Sequence, residues 1–254
     1  MSAKPDIVTA AVLVIGDEIL SGRTKDKNIG YIADYLTAIG IDLKEVRVVS
    51  DDAAAIVDAL NSLRTKYTYV FTTGGIGPTH DDITADCVAE AFGVALEFHP
   101  EAMAILKERL AKTGGELNEA RLRMARIPRG GALVANKVSG APGFWMGNVI
   151  TMAGIPTVMQ AMLDEVAPKL KTGTRLLSET IRADAKAGDV GTELGAIAKA
   201  HPEAIIGSYP FIDEKHGPNT NIVVRSRDAE KLAVVKAEIE GMLEKVKAQL
   251  SAVR

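Results

Sequence analysis

The stretch that decides the fold is Thr72-Thr73-Gly74-Gly75-Ile76-Gly77-Pro78-Thr79-His80-Asp81-Asp82-Ile83-Thr84. A β-branched and aromatic run, residues 67–71, precedes it, and apolar residues at helical spacing follow from Ile83. A glycine-rich turn between a strand and a helix is where α/β proteins hold phosphates, because bare backbone N–H groups and the positive helix end face the anion. The adjacent acids Asp81 and Asp82 would repel a naked phosphate, so they indicate a metal ion or acid–base chemistry.

Outward from this turn, strand and helix patterns alternate along the first part of the chain. A continuous apolar run at residues 10–15 is typical of a strand that is buried on both faces. Further strands are predicted at residues 41–49 and 67–73, with amphipathic helices around residues 29–39 and 56–63. This alternation predicts a parallel sheet covered by helices on both faces.

The loops that follow the first three strands, residues 16–28, 49–52 and 73–82, should open at one edge of this sheet. Ligands of such sheets bind beyond the carboxyl ends of the strands. A second glycine-containing turn, residues 154–156, follows a predicted hairpin at residues 144–152 and begins a further helix. We therefore expect a ligand site that is built from loops at the carboxyl edge of the sheet.

The character of the sequence changes after Lys169. Residues 171–174 have the composition of a linker, and the remainder shows the pattern strand, helix, strand, strand, helix. We interpret this remainder as a small α+β domain. The predicted domains are therefore residues 1–170 and residues 174–254.

The composition is that of an ordinary globular protein. The chain has 254 residues, of which 47% are hydrophobic and 25% charged, with a net charge of −3. This balance gives no general attraction to nucleic acids or to acidic membranes, so we expect neither as a partner. The single cysteine, Cys87, excludes an intrachain disulfide, and the apolar run at residues 10–15 is too short for a membrane span. We expect a cytoplasmic protein.

Each motif also has a purely structural interpretation. Residues 75–80 nearly match a dinucleotide fingerprint but end in His, and they lack the Lys-Ser/Thr of a P-loop, so neither nucleotide family is supported. Gly74 and Gly75 could serve only to permit positive φ angles. Asp51 could cap a helix, and Asp82 and Asp86, four residues apart, could compensate the dipole on one face of the next helix.

Several of these motifs together resemble the molybdopterin-binding domain family, and within it the branch of the N-terminal domain of CinA (competence/damage-inducible protein A). The glycine–aspartate motif is especially similar to the version fused to eukaryotic FAD synthase. The resemblance covers roughly the whole chain, and it is carried by Gly16-Asp17-Glu18-Ile19-Leu20-Ser21-Gly22, residues 72–84, Asn118-Glu119-Ala120-Arg121, Pro142-Gly143-Phe144, Gly154-Ile155-Pro156 and Gly207-Ser208-Tyr209-Pro210.

The resemblance implies a three-layer α/β/α domain of the MogA/MoaB type with a mainly parallel sheet, followed by a small α+β domain. It implies a metal-dependent nucleotide pyrophosphatase that acts on ADP-ribose- or FAD-like dinucleotides. Asp51 and Asp82 would be the catalytic residues and would hold a divalent metal ion, magnesium or another. The ligand and its phosphates would be bound by Asp17, Ser21, Thr73, Gly74, Gly75, Gly77, Pro78, Thr79, Gly154 and Pro156.

Other functions remain open at the level of the sequence. The same pocket could hold a nucleotide or a pterin phosphate without turnover, or the chain could be a molybdopterin adenylyltransferase of the MogA type. CinA proteins usually carry a further amidase domain, which these 254 residues lack, so we expect no amidase activity. Ala153 stands where the family often has Pro, which leaves the shape of that ligand wall open. By analogy with related domains, we expect a homo-oligomer.

Overall fold

A computed structural model describes residues 6–215 and 217–252 of the chain. It divides into two compact units, one spanning Asp6–Gly173 and the other beginning at Thr174. The outermost parts of the two predicted domains, residues 1–5 and 253–254, lie outside the described residues. None of the helices in the described ranges combines the length and the apolar character that a membrane span requires.

The first unit contains eight strands and seven α-helices in its described part. The strands are β1 (Val8–Ile15), β2 (Ile41–Val49), β3 (Tyr69–Thr73), β4 (Leu96–Phe98), β5 (Arg126–Pro128), β6 (Ala132–Val134), β7 (Gly143–Met146) and β8 (Val149–Met152). The helices are α1 (Asp17–Leu20), α2 (Asn28–Ala38), α3 (Ala53–Arg64), α4 (Thr84–Phe92), α5 (Pro100–Thr113), α6 (Glu119–Arg123) and α7 (Pro156–Val166), which a 3₁₀ turn at Ala167–Lys169 follows.

Six of these strands form one sheet in the order β2-β1-β3-β8-β7-β6. The first four are mutually parallel, and β7 and β6 extend the sheet in an antiparallel manner. Helices α2 and α7 pack on one face, while α3 and α4 pack on the other. The expected three-layer α/β/α architecture with a mainly parallel sheet is thus confirmed.

The apolar residues at consecutive positions of β1 explain why this strand lies inside the sheet, between β2 and β3. Val12 and Val14 contact the core beneath α2 and α7, and Leu13 and Ile15 contact the core beneath α3 and α4. Because both faces of a parallel sheet are covered, such a strand is apolar at every position and not only at alternate ones. The short strands β4 and β5 form a separate antiparallel pair.

The second unit is the expected small α+β domain. It contains β9 (Leu177–Arg182), α8 (Ala187–Ala200), β10 (Ile205–Asp213), β11 (Gly217–Ser226) and α9 (Ala229–Ala252). The three strands form an antiparallel sheet in the order β10-β11-β9. Apolar side chains from both helices and from one face of this sheet form a core of its own, which is the mark of an independent domain.

The sequence did not predict the shortest elements. These have three to five residues each, namely α1, α6, β4, β5 and β6. A segment of this length completes only about one helical turn or strand repeat, so it is too short for a hydrophobic periodicity to be recognised. The shared helical face of Asp82 and Asp86 was also predicted wrongly, because α4 begins only at Thr84 and Asp82 lies in the preceding loop.

Candidate functional site

Three loops meet at the carboxyl edge of the large sheet. Strand β1 lies between β2 and β3 and is parallel to both, so all three strands end at the same edge. Helix α1 follows β1, the turn at residues 50–52 follows β2, and the glycine loop at residues 74–83 follows β3. Side chains that are far apart in the sequence are therefore neighbours here.

These loops enclose a cleft of about 970 Å³. It is lined by Asp17, Glu18, Leu20, Ser21, Arg23, Asp51, His80, Asp81 and Ile83. The cleft is open and lined mainly by charged side chains, and its volume is within the ~300–1,000 Å³ that is typical of small-molecule pockets. Four of the lining residues are carboxylates, and two are a guanidinium and an imidazole.

Asp51 faces this cleft and does not cap helix α3. Its Oδ2 accepts a hydrogen bond of 2.9 Å from the backbone N–H of Asp17, the first residue of α1. The capping position belongs to the next residue, Asp52, whose Oδ1 accepts from the N–H of Ala55 at 2.9 Å. The capping interpretation of Asp51 is therefore wrong, and its carboxylate instead connects the loop after β2 to the loop after β1.

Asp82 lies outside the cleft. Its Oδ2 accepts hydrogen bonds from the backbone N–H of Thr79 at 2.7 Å and from the Thr79 hydroxyl at 2.5 Å, so its carboxylate turns back into its own loop. It borders a separate narrow crevice, together with Gly75, Gly77 and Arg123. The structure therefore does not bring Asp51 and Asp82 into one cavity.

Arg123, which borders that crevice, is hydrogen-bonded to the backbone of the glycine loop. The Nη2 of Arg123 donates to the backbone oxygen of Asp82 at 3.3 Å. The neighbouring Arg126 makes a bidentate pair with Asp86 of α4, at 3.0 and 2.8 Å. Planar two-point pairs of this kind fix orientation as well as charge, so the segment around α6 and β5 is bonded both to the glycine loop and to α4.

Two of the glycines allow the strand ends to pack closely. Gly74 has φ of 102°, and a Cβ there would lie 2.2 Å from the carbonyl oxygen of Ile15. At Gly154 a Cβ would lie 3.3 Å from the Cα of Gly74. Asn28, at the start of α2, donates through Nδ2 to the Gly154 oxygen at 2.8 Å. The structural interpretation of Gly74 is therefore sufficient to explain that residue.

The predicted ligand residues are distributed over three places. Asp17 and Ser21 line the cleft together with Asp51. Gly75 and Gly77 border the crevice of Asp82, and Thr73 is only 1% exposed at the end of β3. The remaining residues lie elsewhere in the two glycine-containing loops. Gly74 is buried, whereas Pro78, Thr79 and Gly154 are exposed. Pro156 lies in the first turn of α7.

Five cleft residues were not selected from the sequence as site residues, although the motifs contain all of them except Arg23. They are Glu18, Leu20, Arg23, Asp81 and Ile83, and His80 was considered only as a weak general base. The signal that finds them is the strand order, because β1 and β3 are adjacent and their loops face each other. Local sequence alone marks the loop and not the direction in which each side chain points.

The described residues contain no group of three or more His, Cys, Asp or Glu side chains that could hold a metal ion. The cleft does offer carboxylate oxygens, which magnesium prefers, from Asp17 and Asp51 among others, and the backbone N–H of Asp17 orients the Asp51 carboxylate. Magnesium is commonly held by one or two carboxylates together with substrate phosphates. The donor set therefore fits a cation that arrives with a diphosphate, and it does not fit a cage made of protein alone.

Comparison with known proteins identifies the family of the chain. Residues 11–172 match the model of the probable molybdopterin binding domain, and residues 175–250 match the middle domain of FAD synthase. The chain belongs to the molybdopterin-binding domain family. The resemblance that the motifs indicated is thereby confirmed.

The curated relatives of the chain include a CinA-like protein and a probable FAD synthase. A CinA-like protein of Citrifermentans bemidjiense is 41% identical over 63% of this chain, and a probable FAD synthase of Caenorhabditis elegans is 30% identical over 94% of it. The aligned regions are only 40% and 50% of the length of those two relatives. A protein of Archaeoglobus fulgidus is 29% identical over 91% of this chain and 96% of its own length.

Among solved structures, this chain is similar to the CinA protein of Thermoplasma acidophilum, whose function is unknown. It shares 34% identity with a TM-score of 0.60, over 64% of this chain and 98% of the CinA chain. Both the sequence relatives and this structure therefore support the CinA branch of the molybdopterin-binding domain family.

Proposed function

We propose that the chain is a metal-dependent nucleotide pyrophosphatase that hydrolyses the phosphoanhydride of ADP-ribose- or FAD-like dinucleotides. The observation that carries the proposal is the cleft at the carboxyl edge, where the Asp51 carboxylate is held by the N–H of Asp17. The matches to the molybdopterin-binding domain and to FAD synthase support a nucleotide or pterin phosphate as the ligand class.

In the proposed reaction, water attacks one phosphorus of the diphosphate and the bond to the bridging oxygen breaks. The products are AMP and the second phosphate monoester, and the proton that water loses passes to the Asp51 carboxylate as general base. The Ser21 hydroxyl donates to a phosphate oxygen and orients the diphosphate. A divalent cation held by Asp17, Asp51 and the substrate would supply neutralisation of the phosphate charge.

Asp82 has a different part in this proposal. Its carboxylate receives both donors of Thr79, and Thr79 directly precedes His80 and Asp81 of the cleft wall. Asp82 therefore acts as a positioning residue, which fixes the course of the glycine loop. Its loss should raise KM through a disordered wall more than it lowers kcat.

The experiment measures AMP release from ADP-ribose and FAD with Mg²⁺ or Mn²⁺. We expect Asp51→Asn to lower kcat by at least about 100-fold, because general-base assistance contributes roughly 10²–10⁴-fold. Asp52→Asn is the matched control, since it removes the neighbouring carboxylate, which does not line the cleft. Undiminished turnover by Asp51→Asn would contradict the assignment of Asp51.

One observation favours a second candidate, a protein that binds the same ligand class without turnover. Asp51 and Asp82 border different cavities, and the described part of the chain holds no ready-made metal cluster. Recovery of intact ADP-ribose from a saturated complex after long incubation with Mg²⁺ and Mn²⁺ would establish this candidate and exclude the hydrolase.

A further inference from the structure

We infer that Arg23 and Leu20 divide the recognition of the ligand, with Arg23 binding the diphosphate and Leu20 contacting a planar ring attached to it. The inference rests on the proposed function, because both residues line the same cleft. Neither residue belongs to the set that the sequence motifs marked for ligand binding.

Arg23 is a cation without a partner in an acidic cleft. Four carboxylates line the cleft with it, yet among the described residues its guanidinium has no hydrogen bond or ion pair. It lies in the loop after α1, directly after Gly22, whose φ of 71° turns the chain. Because an arginine is always protonated and presents several donors in one plane, it suits a phosphate ligand.

The charge balance of the cleft favours a side-chain cation beside an anionic ligand, in addition to the divalent cation of the proposed function. Asp17, Glu18, Asp51 and Asp81 together oppose the approach of a diphosphate. His80 adds positive charge only when it is protonated, and its side chain is 99% exposed, so solvent screens it. Arg23 is therefore the one lining residue that carries a permanent positive charge.

Leu20 gives the cleft an apolar surface. It is the last residue of α1, and 56% of it is exposed. A single exposed leucine is common on protein surfaces, but here a second apolar residue, Ile83, lines the same cleft from the loop before α4. Two aliphatic side chains from separate loops offer a surface on which an adenine or a flavin ring can pack.

This division predicts that the two parts of the ligand can be tested separately. Methylenediphosphonate carries the two phosphorus groups without a ring, whereas α,β-methylene-ADP carries the same bridge with adenosine. Neither bridge can be hydrolysed at the P–C bonds, so binding is measured without turnover. Titration calorimetry with the full-length chain and Mg²⁺ compares the two probes.

We expect Arg23→Ala to weaken the binding of both probes by about tenfold or more, because hydrogen bonds to charged groups are among the strong ones. Leu20→Ala should weaken only α,β-methylene-ADP, by about threefold to tenfold, and leave methylenediphosphonate unchanged. Arg175→Ala is the control, since it removes an exposed arginine that does not line the cleft. All three positions are exposed, so the variants should fold.

Each contrary result is distinct. Wild-type affinity of Arg23→Ala for both probes overturns the role of Arg23. Equal loss of both probes in Leu20→Ala would mean that the loop is distorted, which overturns the ring contact. If the wild-type chain hydrolyses ADP-ribose while both variants bind normally, the inference fails and the proposed function stands. If the wild-type chain binds neither probe and releases no AMP, both fail.

Discussion

At the scale of the residue, the adjacent aspartates 51 and 52 have different tasks. Asp51 accepts from the N–H of Asp17 and lines the cleft, whereas Asp52 accepts from the N–H of Ala55 and begins α3. The two have the same chemistry, and only the direction of each side chain separates them. Function and stability can therefore be removed one at a time at this position.

Replacing Asp52 by Ala should destabilise the first unit without removing the cleft. The loss of an N-cap costs about 1 kcal/mol of the unfolding free energy, with a range of roughly 0.5–2 kcal/mol. Urea unfolding should show a lower midpoint with an unchanged slope, while ligand binding persists. Asp51→Asn should instead leave the midpoint unchanged and lower turnover, and equal stability of both variants would contradict the capping assignment.

The sequence indicated the course of the chain at these residues and not the direction of their side chains. The run from Thr72 to Thr84 correctly indicated a turn between a strand and a helix. It did not reveal that the Asp82 carboxylate bonds to Thr79, because a contact three residues away competes with a contact across the sheet, and spacing alone does not decide between them. Arg23 was missed because nothing in its local sequence shows that its charge has no partner.

At the scale of the element, a histidine joins the two helices of the second unit. His201 directly follows α8, and its Nε2 lies 2.7 Å from Oε2 of Glu238 on α9, while Nδ1 lies 3.3 Å from Oε1 of Glu203. The hydrogen bond to Glu238, and then the one to Glu203, raises the pKa of the His201 imidazole above its usual value. Folding thus favours the protonated ring more than the unfolded chain does.

This contact should make the stability of the second unit depend on pH. A histidine whose pKa is higher in the folded state stabilises fully below its unfolded pKa, about 6.5, and the contribution is lost as the pH rises through the folded pKa. An NMR titration of the His201 ring should give a pKa above 6.5, and Glu238→Gln should lower it. An identical titration in both proteins would contradict the contact.

Long elements were predicted well and short ones were not. Strand β2 begins and ends at the predicted residues, 41 and 49, and the helix predicted around residues 29–39 is observed at Asn28–Ala38. The pair β4 and β5 joins segments about 30 residues apart, with Leu96 opposite Pro128. A strand of three residues depends on pairing with a second strand for its stability, and the local sequence pattern does not show which segment that second strand is.

At the scale of the whole molecule, the candidate site belongs to the first unit alone. Every residue that lines the cleft lies between Asp17 and Ile83, within the unit Asp6–Gly173. The solved CinA chain of Thermoplasma acidophilum aligns over 98% of its length with only 64% of this chain.

A truncated chain that ends at Gly173 should fold and bind α,β-methylene-ADP with the affinity of the full chain. Its own core comprises the two apolar clusters on either side of the large sheet, and the cleft loses none of its lining. Circular dichroism and titration calorimetry check the two parts of this expectation. A folded but non-binding fragment would show that residues beyond 173 complete the site.

The strand order also affects how the sheet forms while the chain is being synthesised on the ribosome. All the cleft side chains have been synthesised by residue 83, but β3 pairs on one side with β8, which ends at Met152. At roughly 5–20 residues per second, the nascent chain waits about 4–16 s with that edge of β3 open. During this interval the unpaired edge of β3 can pair with a strand of another chain, although every side chain of the cleft has already been synthesised.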